Sequence, residues 1–197
     1  YEISACLVGS EMCIRDRDSR HYDRSISEEI FKAYKMDRIP YKEEVAITCF
    51  SEVNNEQLMW AHYAGSYSGF CIEYDFSKSC DSAFLRGTAK VEYTNEKPCK
   101  DQFDDMGEYE SKVMLTKSEC WSYEKEWRSR KIAEYGLWKS KIYPIIDAHS
   151  CITAIYLGCN MPDEYQKVII DHYRNTEVKV FQMKLCDDKF DMYFEQC

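Results

Sequence analysis

The stretch from Val45 to Asp75 constrains this chain most, because it reads strand, helix, strand in close succession: VAITCFS, then EVNNEQLMWAHYAGSYS, then GFCIEYDF. Val45 to Phe50 is an almost continuous run of strand-forming apolar residues, which predicts an interior strand covered on both faces. Ser51 ends it. Asn54 or Asn55 then offers a cap for a helix whose body is EQLMWAHYA. At 100° per residue its apolar side chains point nearly all round, so the helix is expected to be buried. Gly65 and Gly69 bracket a turn into the next strand. There Phe70, Ile72, Tyr74 and Phe76 share one face, and Cys71, Glu73 and Asp75 the other. A second block, WSYEKEWR from Trp121 to Arg128, carries four charges in its last five residues.

The rest of the chain supplies the elements these blocks need. Ser25 to Glu28 can form a capping box, and the helix after it should end before Pro40. Thr88 to Tyr93 alternates like a strand, a helix is expected over Glu108 to Ser118, and Trp121 to Ala133 passes from turn to strand. Lys141 to Ile146 suits an edge strand because of Pro144. Ile152 to Leu157 is an apolar strand, followed after Gly158 by a helix with Pro162 and Asp163 in its first turn and a stripe of Tyr165, Val168, Ile169 and Tyr173. Val178 to Leu185 and Phe190 to Glu195 read as paired strands. This order predicts a single α+β domain with a mixed or mostly antiparallel sheet and flanking helices.

Residues 1–17 are set apart. LVGSEMCIRD (Leu7 to Asp16) resembles the translation of a widely used transposase sequencing adaptor, so Cys6 to Arg17 is expected to be adaptor-derived and to pack against nothing. The native domain is then 18–197, lacking its own N-terminal element.

Composition narrows the function classes. A formal net charge of −9 over 197 residues, with no basic stretch, makes nucleic acid an unlikely partner. No apolar run is long enough for a membrane span. Neither the four histidines nor the eleven cysteines show metal-ligand spacing. There is no glycine-rich phosphate loop and no nucleophile elbow. The helix start at Pro162 offers little to an anion, because Asp163 and Glu164 already occupy it.

Three features point to chemistry. If Glu124 to Arg128 is extended, Glu124, Glu126 and Arg128 project to one face with the carboxylates roughly 7 Å apart. Such a pair suits general acid/base or oxocarbenium chemistry; it equally suits a solvated strand face whose charges pair with each other. His62 is either a general base oriented by Glu73 or Asp75, or a hydrogen-bonded core histidine. Trp60 and Trp127 are either core residues or stacking surfaces for a base or nicotinamide.

The strings CFS (Cys49 to Ser51), MWAHYAGSYSGFCIEYDF (Met59 to Phe76), WSYEKEWR and AIYLGCNMPDEY together resemble the bacterial family called domain of unknown function 2971. That resemblance implies no reaction. Glu-x-Glu is further similar to a motif of some mono-ADP-ribosyltransferases, in which the second glutamate contacts nicotinamide-ribose and a serine-ended strand precedes the neighbouring helix. That similarity implies an enzyme on a nucleotide-like substrate, with Glu126, Glu124 and Ser51 as catalytic candidates, which His62 joins on its general-base reading. Trp60, Tyr63, Trp127 and Arg128 would then be substrate-binding. NAD enters only under this reading; no cofactor or metal is otherwise implied, and the partner is an unidentified small molecule or nucleotide. The alternative is a non-catalytic sensor or interaction domain in a bacterial stress or anti-phage response.

Without paired spacing, the cysteines are expected to be reduced, as in a cytoplasmic protein. Titration of the denatured protein, purified anaerobically without reductant, should find Cys49, Cys71, Cys80, Cys99, Cys120, Cys151, Cys159, Cys186 and Cys197 all free. Two or more missing thiols would contradict the cytoplasmic expectation.

Overall fold

The structure, a computed structural model, describes residues 2–7, 45–78, 85–99, 106–132 and 148–197. The helix expected after Ser25 and the edge strand expected at Lys141 to Ile146 lie outside these residues. Within them the fold is α+β with mixed sheets.

The larger sheet has five strands in the order β1 (Glu2–Leu7), β3 (Phe70–Asp75), β8 (Ile152–Leu157), β9 (Lys179–Leu185), β10 (Met192–Gln196). β8 and β9 run parallel and the other pairs antiparallel. The helix between β8 and β9, here α3 (Asp163–Tyr173), makes the crossover that a parallel pair requires. One sheet face packs Cys71, Tyr156, Met183 and Met192 against Trp60 and Ala64, which come from α1 (Gln57–Tyr63) and its end. The other face packs Ile155, Leu157 and Val180 against Met161, Ile169, Ile170 and Tyr173. The core side of α3 thus differs from the expected stripe: Tyr165 and Val168 are 59% and 67% exposed, and Ile170 turns inward instead. Docking against a sheet needs only a narrow apolar strip, so part of the stripe is left over.

A three-stranded sheet holds the second part of the molecule, in the order β2 (Val45–Ser51), β7 (Glu126–Ile132), β4 (Thr88–Lys90), all antiparallel. β2 is therefore an edge of this sheet among the described residues, not the interior strand its apolar run predicts, and Thr48 is exposed. Phe50 packs with Phe76, Cys151, Tyr74 and Trp127, which ties the two sheets together. The strand expected over Thr88 to Tyr93 divides at buried Val91. β4 joins β7, whereas β5 (Glu92–Tyr93) pairs in parallel with β6 (Thr116–Lys117). The helix expected over Glu108 to Ser118 is α2, Met106–Leu115, and stops early because its continuation is taken up by that pairing.

Helix α1 is not buried all round. Met59, Trp60 and Tyr63 are buried, but Leu58 is 49% exposed and His62 is exposed. Its N-cap is Glu56, whose carboxylate accepts the Leu58 amide, rather than Asn54 or Asn55. The turn after α1 lies against the β8–α3 turn so closely that a Cβ on Gly158 would fall 2.0 Å from the Tyr67 carbonyl oxygen.

Among the described residues Cys99, Cys120, Cys159, Cys186 and Cys197 are free thiols. β1 departs from the expectation for the N-terminus. Cys6 and Leu7 pair with Ile72 and Cys71, so the first two residues of the adaptor-like stretch do pack, while residues 8–17 lie outside the described set. An open strand edge accepts backbone hydrogen bonds from a chain of almost any sequence, which explains how such a segment is taken up. Deleting residues 1–7 should lower Tm by several degrees, at about 2–4 °C for each kcal/mol in a chain of this length. An unchanged Tm would show that β1 contributes nothing to stability.

Candidate functional site

Glu124 and Glu126 reach the same place by a route other than a continuous strand. Glu119–Glu124 forms a 3-10 turn, Lys125 adopts left-handed backbone (φ 44°), and β7 begins only at Glu126. Both carboxylates are nonetheless buried, at 3% and 5% exposure, so the face is not solvated. The ammonium of Lys117 donates to Oε2 of Glu124 and, at 3.0 Å, to Oε2 of Glu126. Arg128 forks onto Glu126, Nε to Oε1 at 2.8 Å and Nη2 to Oε2 at 3.1 Å. The Tyr63 hydroxyl donates to Oε1 of Glu124. The guanidinium of Arg128 also caps the end of α2 through the Met114 carbonyl, and Arg130 donates to the Ser111 hydroxyl at 2.8 Å.

Ser51 is 2% exposed and lies opposite Glu126 in the β2–β7 register. Its hydroxyl donates to the Glu124 carbonyl at 2.6 Å and accepts the Val53 amide at 3.0 Å. The serine therefore holds the backbone between the carboxylates rather than a carboxylate itself. The Glu126 amide donates to the Tyr93 hydroxyl at 2.8 Å, and the Val91 amide donates to the Glu126 carbonyl at 2.9 Å.

The electrostatics follow from two cations meeting two anions in a dry place. For Glu126, burial acts to raise the pKa. The hydrogen bond and charge of Arg128, a Cys49 thiol contact and the Lys117 charge outweigh burial and hold the carboxyl below its usual range. For Lys117, burial favours the neutral amine, but its bonds and attraction to the two glutamates hold the pKa above normal. Burial, then the bond to Glu124, pushes the Tyr63 phenol up, so it remains a donor.

A surface depression of about 250 Å³ opens beside this cluster, lined by Glu52, Lys90, Val91, Tyr93, Ser122, Lys125 and Glu126. Of the candidate residues only Glu126 reaches it. Ser51, Tyr63, Glu124 and Arg128 stand behind it. Trp60 and Trp127 take the core reading of their two and not the stacking one. Trp60 is 1% exposed, packed in the main core with its indole N–H on the Asn54 carbonyl at 2.6 Å. Trp127 packs between the sheets, donates to Glu52 at 2.8 Å and lies under Lys90. His62 is exposed, and both expected orienters are engaged elsewhere: Glu73 accepts from Thr153 and Tyr156 at 2.6 Å, Asp75 from Ser77 at 2.6 Å. The core-histidine alternative fails as well, because α1 turns His62 outward toward Trp121, 6.2 Å away. No group of three His, Cys, Asp or Glu able to hold a metal occurs among the described residues.

Lys117 is the residue that the motif reading missed. One signal pointed to it: two buried carboxylates facing a single arginine are a cation short. Removing that cation leaves buried negative charge uncompensated, so Lys117→Met should destabilise by about 3 kcal/mol or more in urea unfolding. The pH dependence has two limbs. Glu126, lowered in the folded state, contributes stability above its unfolded pKa that is lost as pH falls through its folded value, below the ordinary carboxylate range. Lys117, raised when folded, contributes stability below its unfolded pKa that is lost as pH rises through its folded value. Lys117→Met should flatten the alkaline limb; an unchanged pH profile would show that the ion cluster does not couple to folding.

No curated protein and no solved structure matches the chain. The model of one family does, over residues 59–129, a span that holds Tyr63, Lys117, Glu124, Glu126 and Arg128 and the strings MWAHYA and WSYEKEWR, and that begins after Ser51. The resemblance carried by MWAHYA and YEKEWR is thereby borne out: residues 59–129 match the model of the family described as protein of unknown function (DUF2971).

Proposed function

We propose that this domain is a bacterial enzyme acting on a nucleotide-like substrate through an ADP-ribosyltransferase-like core. The observation that carries the reading is the register of β2 on β7. The serine that closes one strand stands opposite the second glutamate of the Glu-x-Glu string, at the edge of a depression. In this role Glu126 stabilises positive charge as it develops at a sugar carbon while the bond to the leaving group lengthens. Arg128 and Lys117 keep it ionised, Ser51 fixes the backbone at Glu124, and Tyr63 fixes the Glu124 carboxylate. NAD is the natural first substrate to offer.

One observation favours a second reading, a non-catalytic sensor or interaction domain. Both Glu126 oxygens already accept hydrogen bonds from cations, so the cluster is complete without a ligand. Catalysis would require substrate to displace one of those donors.

The two readings differ in turnover. The enzyme reading expects NAD consumption by the wild-type chain and a loss of roughly a hundredfold or more in Glu126→Gln, as when other transition-state charge stabilisers are removed. Because Glu126 is buried and paired, that change should also cost about 3–5 kcal/mol, so rates are referred to folded protein. Glu126→Asp, which keeps the charge, serves as the second variant and should regain stability more than rate. No turnover in the wild type would leave Glu126 a structural residue and the domain non-catalytic.

A further inference from the structure

A group of aromatic rings outside every core cluster sits on the turn whose Ser122 lines the same depression. We propose that Trp121, flanked by His62 and Tyr123, is the stacking platform for the planar base of a nucleotide whose phosphate is met by Lys125. The inference rests on the nucleotide-like substrate proposed above and assigns it a binding surface.

Trp121 and Tyr123 belong to the 3-10 turn that ends at Glu124, and the residue between them, Ser122, lines the depression together with Lys125 and Glu126. Platform and depression are thus built from one short segment. The Trp121 ring lies 6.2 Å from His62 and 6.0 Å from Tyr123, tilted by 58° and 37°, so neither neighbour is stacked in parallel upon it. The Lys117 ammonium stands 5.1 Å from its centroid, which joins the indole to the ion cluster. His62 is exposed, and Trp121 and Tyr123 are half-buried. Trp60 and Trp127 are consumed by packing, whereas Trp121 and Tyr123 appear in none of the buried clusters. Wet-edged aromatic surface of this kind is what planar ligands use, since every base offers a π-face.

Charge completes the match. In the depression, the cluster behind it and the rings beside it, Lys90, Lys117, Lys125 and Arg128 meet Glu52, Glu56, Glu124 and Glu126, a local balance in a chain of net charge −9. Lys90 is paired with Glu52 at 2.5 Å, and Lys117 and Arg128 are paired with the buried glutamates. Lys125 is exposed at the rim, placed to meet a phosphate.

The test is calorimetric binding of AMP, adenosine and ribose 5-phosphate to the intact chain and to Trp121→Ala, Trp121→Phe and Lys125→Ala, with folding checked by circular dichroism. Wild type should bind AMP more tightly than either fragment. Trp121→Ala should weaken AMP about tenfold or more, Trp121→Phe should retain most of the affinity, and Lys125→Ala should bring AMP close to adenosine. AMP binding unchanged in Trp121→Ala overturns the platform. If Trp121→Ala does not fold, Trp121→Phe and Lys125→Ala decide: an AMP preference over adenosine that survives in Lys125→Ala overturns the assignment. No AMP binding by wild type overturns it too. NAD turnover persisting in that case would leave the enzyme reading standing without this surface, and its absence would remove both.

Discussion

The ammonium of Lys117, buried between two glutamates, is the interaction on which the rest of the small-sheet region depends. Without it, Glu124 and Glu126 would place two negative charges in a dry site with one arginine between them, a cost of several kcal/mol that one of them would relieve by taking a proton. With it, the charges balance, and the geometry that balance demands organises everything nearby. Lys117 is presented by β6, which pairs with β5; Arg128 reaches back to the end of α2; and the 3-10 turn is held at its last residue by Ser51 and Tyr63. Ser51, Tyr63 and Tyr93, far apart in sequence, are thereby tied to the single stretch from Met114 to Arg128 that carries the ions.

That completeness bears directly on function. A buried ion pair is weak support for stability as such, because desolvation offsets much of the attraction. Its effect is specificity of geometry: the carboxylate at the edge of the depression is held ionised and aimed. A glutamate in that state suits charge stabilisation far better than proton transfer, since general acid or base work wants a pKa near the working pH. The same bonds that keep it ionised also occupy its oxygens. Chemistry and architecture thus compete for one carboxylate, and a ligand drawn in by Lys125 and the Trp121 rim would have to settle the competition.

Much of this was legible in the residues. The strand–helix–strand from Val45 to Asp75 has the expected elements, because its periodicity and its glycines leave few alternatives, and Glu124, Glu126, Ser51, Tyr63 and Arg128 do converge. The misreadings share a cause. Periodicity states which residues are apolar, not which element arrives to cover them. The Val45 run became an edge strand, Leu58 and Val168 stayed exposed, and the strand at Thr88 split because its two halves found different partners. Trp60 took the core reading of its two, while α1 turned the His62 imidazole outward, against both of the roles expected of it. Lys117 sits only seven and nine residues before the two glutamates, yet it meets them because a 3-10 turn and left-handed Lys125 fold the chain back on itself, which the period-2 reading of the string does not encode.

The most direct measurement is the titration of the Glu126 carboxyl itself, followed by carbon-13 NMR in selectively labelled protein and assigned with Glu126→Gln. The expected result is a carboxylate that stays ionised to below the ordinary range for glutamate, and that moves upward in Lys117→Met. A Glu126 carboxyl that titrates at or above the ordinary glutamate value in the native protein would contradict the ion cluster as the organising interaction.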